Sequence, residues 1–326
     1  MKKIFIRKLN IEITRKCNFK CEHCMRGEAQ NIDIPEEMIE KILENYFAIG
    51  CLDITGGEPL LNIPMIQRIF EILVKNNIGV KLINITTNGS IRSREFADII
   101  NKYSIKYNIG FNYSSDVFHK LQLENWEEEI DKSVKFYKEY GIDLKDLENP
   151  ASYKMLSYTG RAKNLKEQVE RFKWDKKLHM VAFIDSKNFY EIPESSLYYS
   201  ANGNIYLSTM HSFDDVDNEN IGNVMDESKN IIDMIFYWNR KYPITEREYG
   251  IYKFFKGQKE LNGYRGGQKE EEITEFMINR FELLLELRRN LIIDFPQYTT
   301  QQIIECTPAD KYVYPNILNF FDKTNK

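Results

Sequence analysis

Cys17, Cys21 and Cys24 fall in one short run, Cys17-Asn18-Phe19-Lys20-Cys21-Glu22-His23-Cys24, with three and then two residues between them. A loop this tight can wrap a cubane iron–sulfur cluster, giving a thiolate to each of three irons. The fourth iron is then left for a substrate to coordinate. Soft thiolates also suit zinc. Structural zinc usually takes four ligands, commonly as paired CxxC hooks, and no second hook is present. Cys51 and Cys306 are isolated, and His23 lies too close to its neighbours to be an easy fourth ligand. On residues alone, cluster and zinc both stay open. Cys51 starts an interior strand and reads as packing, and a lone cysteine such as Cys306 is most often a small hydrophobe.

Elements must position those thiols. Ile4–Thr14 reads as a strand, with Leu9, Ile11 and Ile13 alternating against Asn10 and Glu12. Past the cysteines, Pro35 suits a first helical turn, followed by Glu36 and Glu37 at the positive helix end. Ile39, Ile42, Leu43, Tyr46 and Phe47 mark one helical face, with Gly50 as the stop. Cys51–Thr55 is then a short strand and Thr55–Pro59 (TGGEP) a glycine turn. Pro64 opens a helix with Met65, Ile69, Phe70 and Leu73 inward, and Val80–Thr86 is a strand ending in the turn Thr87-Asn88-Gly89. A helix over Ser93–Tyr103, a strand over Lys106–Tyr113, a helix over Glu124–Tyr140 and strands over Ile142–Leu147 and Leu178–Asp185 continue the series.

Strands alternating with helices imply parallel βαβ units. In such folds the chemistry gathers on loops leaving the C-terminal ends of strands. The cysteine loop, TGGEP, the Thr87-Asn88-Gly89 turn and Ser114-Ser115-Asp116 all follow directly after expected strands, so they converge on one rim. Beyond about residue 190 the texture changes. Leu197–Ala201 and Asn204–Leu207 flank Asn202-Gly203, a hairpin signal, and Ser212–Asn220 is an acidic loop. Ile273, Met277, Phe281, Leu284 and Leu291 recur at helical spacing behind Glu270–Glu272, and Gly257–Gly267 reads as a linker.

The chain has 326 residues, 42% hydrophobic and 29% charged, which is ordinary for a globular protein with a real core. A net charge of −4 argues against broad, charge-driven nucleic-acid binding. No stretch approaches the ~18 apolar residues of a membrane span, and the N-terminus lacks a secretory pattern. The expected compartment is therefore the reducing cytoplasm, where the cysteines do not form a disulfide framework.

The C-x3-C-x2-C loop after the first strand resembles the signature of the radical S-adenosylmethionine (radical SAM) superfamily, and the likeness extends over roughly the first 190 residues. The resemblance implies an α/β fold, a partial (βα)6 barrel of parallel strands. It implies a [4Fe–4S] cluster on Cys17, Cys21 and Cys24, whose open iron binds S-adenosylmethionine through its amino and carboxylate groups. One electron then yields methionine and a 5′-deoxyadenosyl radical that takes hydrogen from a substrate. Gly56-Gly57-Glu58 resembles the GGE turn that holds the methionine amino group, with Glu58 offering charge to the ammonium. Ser114 would contact the ribose hydroxyls with Asp116 nearby, although Val117 stands where the family often has glycine. Thr87 and Asn88 would shape the same wall, and His23 would pack near the adenine.

Gly160-Arg161-Ala162 resembles a stretch in SPASM-type, peptide-modifying members of the family. The hairpin around Asn202-Gly203 and Ile221-Gly222-Asn223-Val224 resemble their C-terminal cluster extension. Those relatives carry cysteines there; this chain has Ser208-Thr209-Met210-His211, so a cysteine-free, degenerate extension and a single cluster are expected. The expected organisation is a barrel over 1–190, the hairpin extension over 191–240 and a helical region over 241–326. The implied substrate is a peptide or protein side chain, with a flavodoxin- or ferredoxin-type electron donor; Cys306 is a candidate hydrogen-atom donor. The alternatives are a radical enzyme acting on a small metabolite or nucleotide, and a non-catalytic iron–sulfur sensor or scaffold.

Overall fold

The computed structural model describes residues 4–147, 160–165, 190–192, 197–206, 213, 220–231, 234, 248 and 268–309. The chain divides into two compact units; everything described up to Ile231 belongs to the first and everything described beyond it to the second.

The first unit alternates strands and helices: β1 (Ile4–Thr14), α1 (Glu36–Leu43), β2 (Tyr46–Gly56), α2 (Ile63–Lys75), β3 (Gly79–Thr87), α3 (Arg94–Ser104), β4 (Ile109–Ser114), α4 (Val117–Lys120), α5 (Trp126–Glu139) and β5 (Leu144–Leu147). The five strands are parallel and ordered β5-β4-β3-β2-β1. Each strand neighbours its successor with no reversal, the singly wound order of a (βα) barrel rather than of a doubly wound sheet. This is the expected α/β class.

The two faces of the sheet differ. Leu9, Ile11, Ile13, Leu52, Ile54 and Ile83 are buried and in register on one face. The other carries Asn10 and Glu12 beside Asp53 and Thr55, with Asn84 next in line. Parallel strands covered on both sides usually read as continuous apolar runs, so a polar face marks the side that carries a site. There Lys8 pairs with Asp53 at 2.8 Å, and Asn112 Nδ2 donates to Asn84 Oδ1 at 2.9 Å. Cys51 also lies on this face: its thiol donates to Asp53 Oδ1 at 3.4 Å. Strand periodicity puts it two residues from Asp53 and opposite to Leu52, which corrects its reading as packing.

The first helix is shorter than the sequence suggests. It ends at Leu43, and Tyr46 and Phe47 open β2. The long β1 needs a partner along its length, and its register with β2 starts at Ile4↔Tyr46. Gly50 is therefore no helix stop. A Cβ there would lie 2.6 Å from the Arg7 carbonyl, so the glycine serves close strand approach. The strand expected from Lys106 begins at Ile109, because the Lys106 and Tyr107 amides donate to Tyr103 and finish α3.

The free edge of β1 is extended by β6 (Tyr190–Ile192) along Ile4–Ile6 and β7 (Leu197–Tyr199) along Leu9–Ile11, both parallel. β7 turns at Ser200–Gly203 into β8 (Asn204–Tyr206), and β9 (Asn220–Asn223) follows, both antiparallel. The Gly203 amide closes the turn on Ser200 at 2.8 Å with φ +85. The hairpin thus continues the sheet of the parallel strands. The expected strand at Leu178–Asp185 and the linker at Gly257–Gly267 lie outside the described residues.

In the second unit, α6 (Gln268–Asp294) is followed by α7 (Thr300–Cys306), which Thr299 and Gln302 open with a reciprocal capping box. Phe281, Leu284 and Leu285 are buried. Arg288, fully buried, meets both Glu248 oxygens at 2.8 Å and Thr307 Oγ1 at 2.9 Å. No helix among the described residues is long and apolar enough to cross a membrane.

Candidate functional site

β1 ends at Thr14 and the cysteine loop begins. Its two ends are pinned: the Arg15 amide donates to Ile32 at 2.8 Å, the Gln30 amide to Arg15 at 3.0 Å, and the Ile34 amide to Ile13 at 3.0 Å. Asp33 accepts from Thr14 Oγ1 at 2.6 Å and pairs with Lys16 at 2.5 Å. Inside this closed loop the Cys24 amide donates to the Cys21 carbonyl at 3.1 Å, folding the second and third cysteines onto one turn. Cys21 is buried with Phe19, Trp126 and Ile130, and Cys17 and Cys24 pack at the edge of that cluster.

The electrostatics identify what the thiols lack. Burial, then Cys24 and Cys17, push the Cys21 thiol up to about 12, and burial raises Cys17 as well. The neighbouring thiols disfavour ionisation of Cys21 and Cys17, and a cationic centre bound among them reverses that balance. The donor set therefore fits an iron–sulfur cluster. Cys21, His23 and His119 also bring ligand atoms within 4.8 Å of one another, but both imidazoles already face Asp116 Oδ2, His119 Nδ1 at 2.6 Å and His23 Nε2 at 3.4 Å.

The turn after β2 presses on this loop. The Gly57 amide donates to Thr14 at 2.8 Å and the Glu58 amide to Lys16 at 2.7 Å. A Cβ on Gly56 would sit 2.3 Å from the Thr14 carbonyl, and one on Gly57 2.2 Å from that of Lys16 and 3.0 Å from Cys17 Cβ. Only glycine allows two rim turns to meet so closely.

Glu58, expected to offer charge to an ammonium, turns its carboxylate inward. It is 1% exposed. Its Oε1 accepts from the Leu60 amide at 3.0 Å and Thr87 Oγ1 at 2.8 Å, and its Oε2 from the Asn88 amide at 2.7 Å. Burial raises its pKa while these three hydrogen bonds work to lower it. The carboxylate is a brace joining the turns after β2 and β3. Asn88 carries the brace onward, donating to Asn18 Oδ1 at 2.8 Å within the cysteine loop.

Asp116 caps α4, its Oδ1 accepting from the Phe118 and His119 amides at 3.0 and 3.1 Å. Burial pushes its carboxyl up, but hydrogen bonds from His119 and His23 prevail and hold it well below the usual range. The His23 ring stacks on Phe118, centroids 4.6 Å apart, and its Nδ1 is buried with no hydrogen-bond partner among the described residues. Ser114 ends β4 on the same rim, half-buried. Cysteines, glycines, Glu58, Thr87, Asn88, Ser114, Asp116 and His23 thus share one end of the sheet. Cys306 is exposed at the end of α7, in the second unit.

Two features escaped sequence reasoning. Glu12, fully buried, accepts from Arg15 Nε at 2.7 Å, Tyr198 Oη at 2.5 Å and the Ala201 amide at 2.9 Å. The Glu12/Arg15 spacing was its only local signal, and strand alternation masked it as an ordinary polar position. The second is the seat of Arg161, noted in the sequence only for its likeness: its amide donates to the Cys24 carbonyl and its Nε to the Cys21 carbonyl, both at 2.9 Å.

Residues 11–147 match the family model of the Radical SAM superfamily. That span, under half of the chain, holds the cysteine loop and every rim turn described above, so residues 11–147 match as a Radical SAM domain. The cofactors of that superfamily are a [4Fe–4S] cluster and S-adenosylmethionine.

Among curated relatives, the GTP 3′,8-cyclase of Staphylococcus haemolyticus is 33% identical over 134 residues, 37% of this chain and 38% of that protein. The probable GTP 3′,8-cyclase of Sulfurisphaera tokodaii is 37% identical over 93 residues, 27% of this chain and 28% of that protein. The chain therefore matches well under half the length of these relatives. Among solved structures, native anSMEcpe with bound AdoMet and Cp18Cys peptide aligns with TM-score 0.43 at 13% identity, covering 72% of this chain and 80% of that one. Streptococcus suis SuiB bound to precursor peptide SuiA aligns with TM-score 0.42 at 15% identity, covering 76% and 66%.

Proposed function

We propose that this chain is a radical enzyme that holds a single [4Fe–4S] cluster on Cys17, Cys21 and Cys24 and acts on a peptide or protein side chain. When bound, the cluster supplies the electron that splits S-adenosylmethionine into methionine and a 5′-deoxyadenosyl radical, which takes a hydrogen atom from the substrate. The carrying observation is that three thiols pack at one side-chain cluster, on a loop that the glycine turn after β2 meets backbone to backbone.

The chain's own residues bind, orient and exclude. Gly56 and Gly57 leave bare backbone beside Cys17 for the methionine end of the ligand, and Glu58 keeps that wall rigid from behind. Thr87 and Asn88 continue the wall, Ser114 meets the ribose hydroxyls, and Asp116 orients His23 against the adenine. Phe19, Trp126 and Ile130 keep water from the thiols.

The peptide substrate is supported by the likeness of Gly160-Arg161-Ala162 and of the Asn202-Gly203 hairpin to SPASM-type enzymes. A small nucleotide is the second reading, favoured by the names of the curated relatives of the N-terminal domain. A flavodoxin- or ferredoxin-type donor would deliver the electron, and Cys306 is a candidate hydrogen-atom donor.

Anaerobic reconstitution tests the core of this reading. The expected result is about four irons and four sulfides per chain, with 5′-deoxyadenosine released after reduction and both lost in C17A, C21A and C24A. A reduced, iron-replete protein that never cleaves S-adenosylmethionine would favour the sensor. Release of 5′-deoxyadenosine that rises on adding GTP, and not on adding candidate peptides, would favour the nucleotide.

A further inference from the structure

Gly160 and Arg161 lie far along the chain from the cysteines yet close directly onto their loop. Gly160 takes φ +58, and a Cβ there would lie 2.4 Å from the Met25 carbonyl and 2.5 Å from that of Cys24. That close approach seats the Arg161 amide on the Cys24 carbonyl and its Nε on the Cys21 carbonyl. The Cys21 carbonyl also accepts the Cys24 amide, so the guanidinium is fastened to the one turn that carries two of the three thiols.

The side chain is only 17% exposed. Its Nη1 lies 3.2 Å from Glu28 Oε1 without hydrogen-bond geometry, and Glu28 itself is largely exposed.

We infer that Arg161 is a positioning residue for the cluster, fastening the Cys21–Cys24 turn and holding beside the thiolates a fixed positive charge that favours the reduced state. The inference rests on the assignment of Cys17, Cys21 and Cys24 as cluster ligands. Adding an electron to a centre that already carries three thiolates is opposed by their charge. Net charge and hydrogen bonding around the ligands set the potential of such centres. A guanidinium is a fixed charge, so its contribution is constant, and the charge-assisted hydrogen bond from its Nε to the Cys21 carbonyl, beside the backbone amide bond to the Cys24 carbonyl, fixes its distance.

The test is a redox titration of the reconstituted holoprotein followed by the electron paramagnetic resonance of the reduced cluster. In R161Q the ratio of reduced to oxidised cluster at fixed poise should fall about tenfold, equivalent to 59 mV for one electron. R161K, which keeps the charge, should recover most of that. R161Q with wild-type iron content and an unchanged potential overturns the inference. If R161Q does not accumulate folded, E28Q carries the test. Glu28 is exposed, and removing its charge should move the potential upward; no movement overturns the inference. Wild-type protein that takes up no cluster defeats the ligand assignment instead, which separates the two failures.

Discussion

Gly57→Ala is the sharpest probe of how the turn after β2 and the cysteine loop depend on each other. The new methyl would sit 2.2 Å from the Lys16 carbonyl, more than 1 Å inside ordinary contact. The opposing atoms are backbone, so no flexible side chain can yield. The two segments must part, which costs about 1–3 kcal/mol for overpacking. Parting also breaks the Glu58–Lys16 hydrogen bond at 2.7 Å, a further ~0.5–1.5 kcal/mol. Together the loss is about 1.5–4.5 kcal/mol, or a fall in Tm of roughly 3–18 °C for a unit of this size. Because Cys17 Cβ is the next atom in the way, iron uptake on reconstitution should fall with it. The control is Gly141→Ala, at φ +75 with nothing within 4 Å of the new Cβ. It should lose about 1–2 kcal/mol from backbone strain and keep wild-type iron. Scanning calorimetry and iron analysis of both variants decide the matter. A G57A protein with unchanged Tm and full iron, or a G141A protein equally depleted of iron, would refute the reasoning.

Asp116→Asn tests the depressed carboxyl. A carboxylate whose folded pKa lies below its unfolded value near ~3.9 adds stability above that value and loses it as pH falls toward the folded pKa. In urea unfolding of the apoprotein, wild type should therefore exceed D116N at pH 7 by more than at pH 3; equal gaps would contradict the assignment. Tyr198→Phe removes one donor from the buried Glu12 carboxylate and should cost about 1.5–3 kcal/mol, read as a lower urea midpoint at constant slope. Arg288→Ala removes the guanidinium that meets both oxygens of the buried Glu248. It should destabilise the second unit by roughly 3–5 kcal/mol, whereas the double change R288M/E248L should recover much of that. A single R288A variant as stable as wild type would show that the pair is not what holds α6 against its neighbours.

Sequence alone supplied the thiols and the order of the elements, because both are local. Loop length fixes how near Cys17, Cys21 and Cys24 can come, and hydrophobic periodicity separates strand from helix without reference to anything distant. The glycines of TGGEP were legible as a turn for the same reason. Where a distant partner decided, local reading failed. Tyr46, Phe47 and Gly50 fit a helical face by spacing, but β1 required a paired strand along its length, and sheet pairing overrode the pattern. Cys51 is apolar by type and polar by position, since only the register of β2 shows which face it shares with Asp53.

The site divides along the same line. That Glu58 is a carboxylate on the rim could be read from its turn. That its oxygens bind inward to Leu60, Thr87 and Asn88 rather than outward is set by the approach of β3. Glu12, Tyr198 and Arg161 act through contacts spanning more than a hundred residues of chain. Such contacts arise only when the sheet closes them into a common environment, where burial raises the cost of any unpaired charge and so selects its partner.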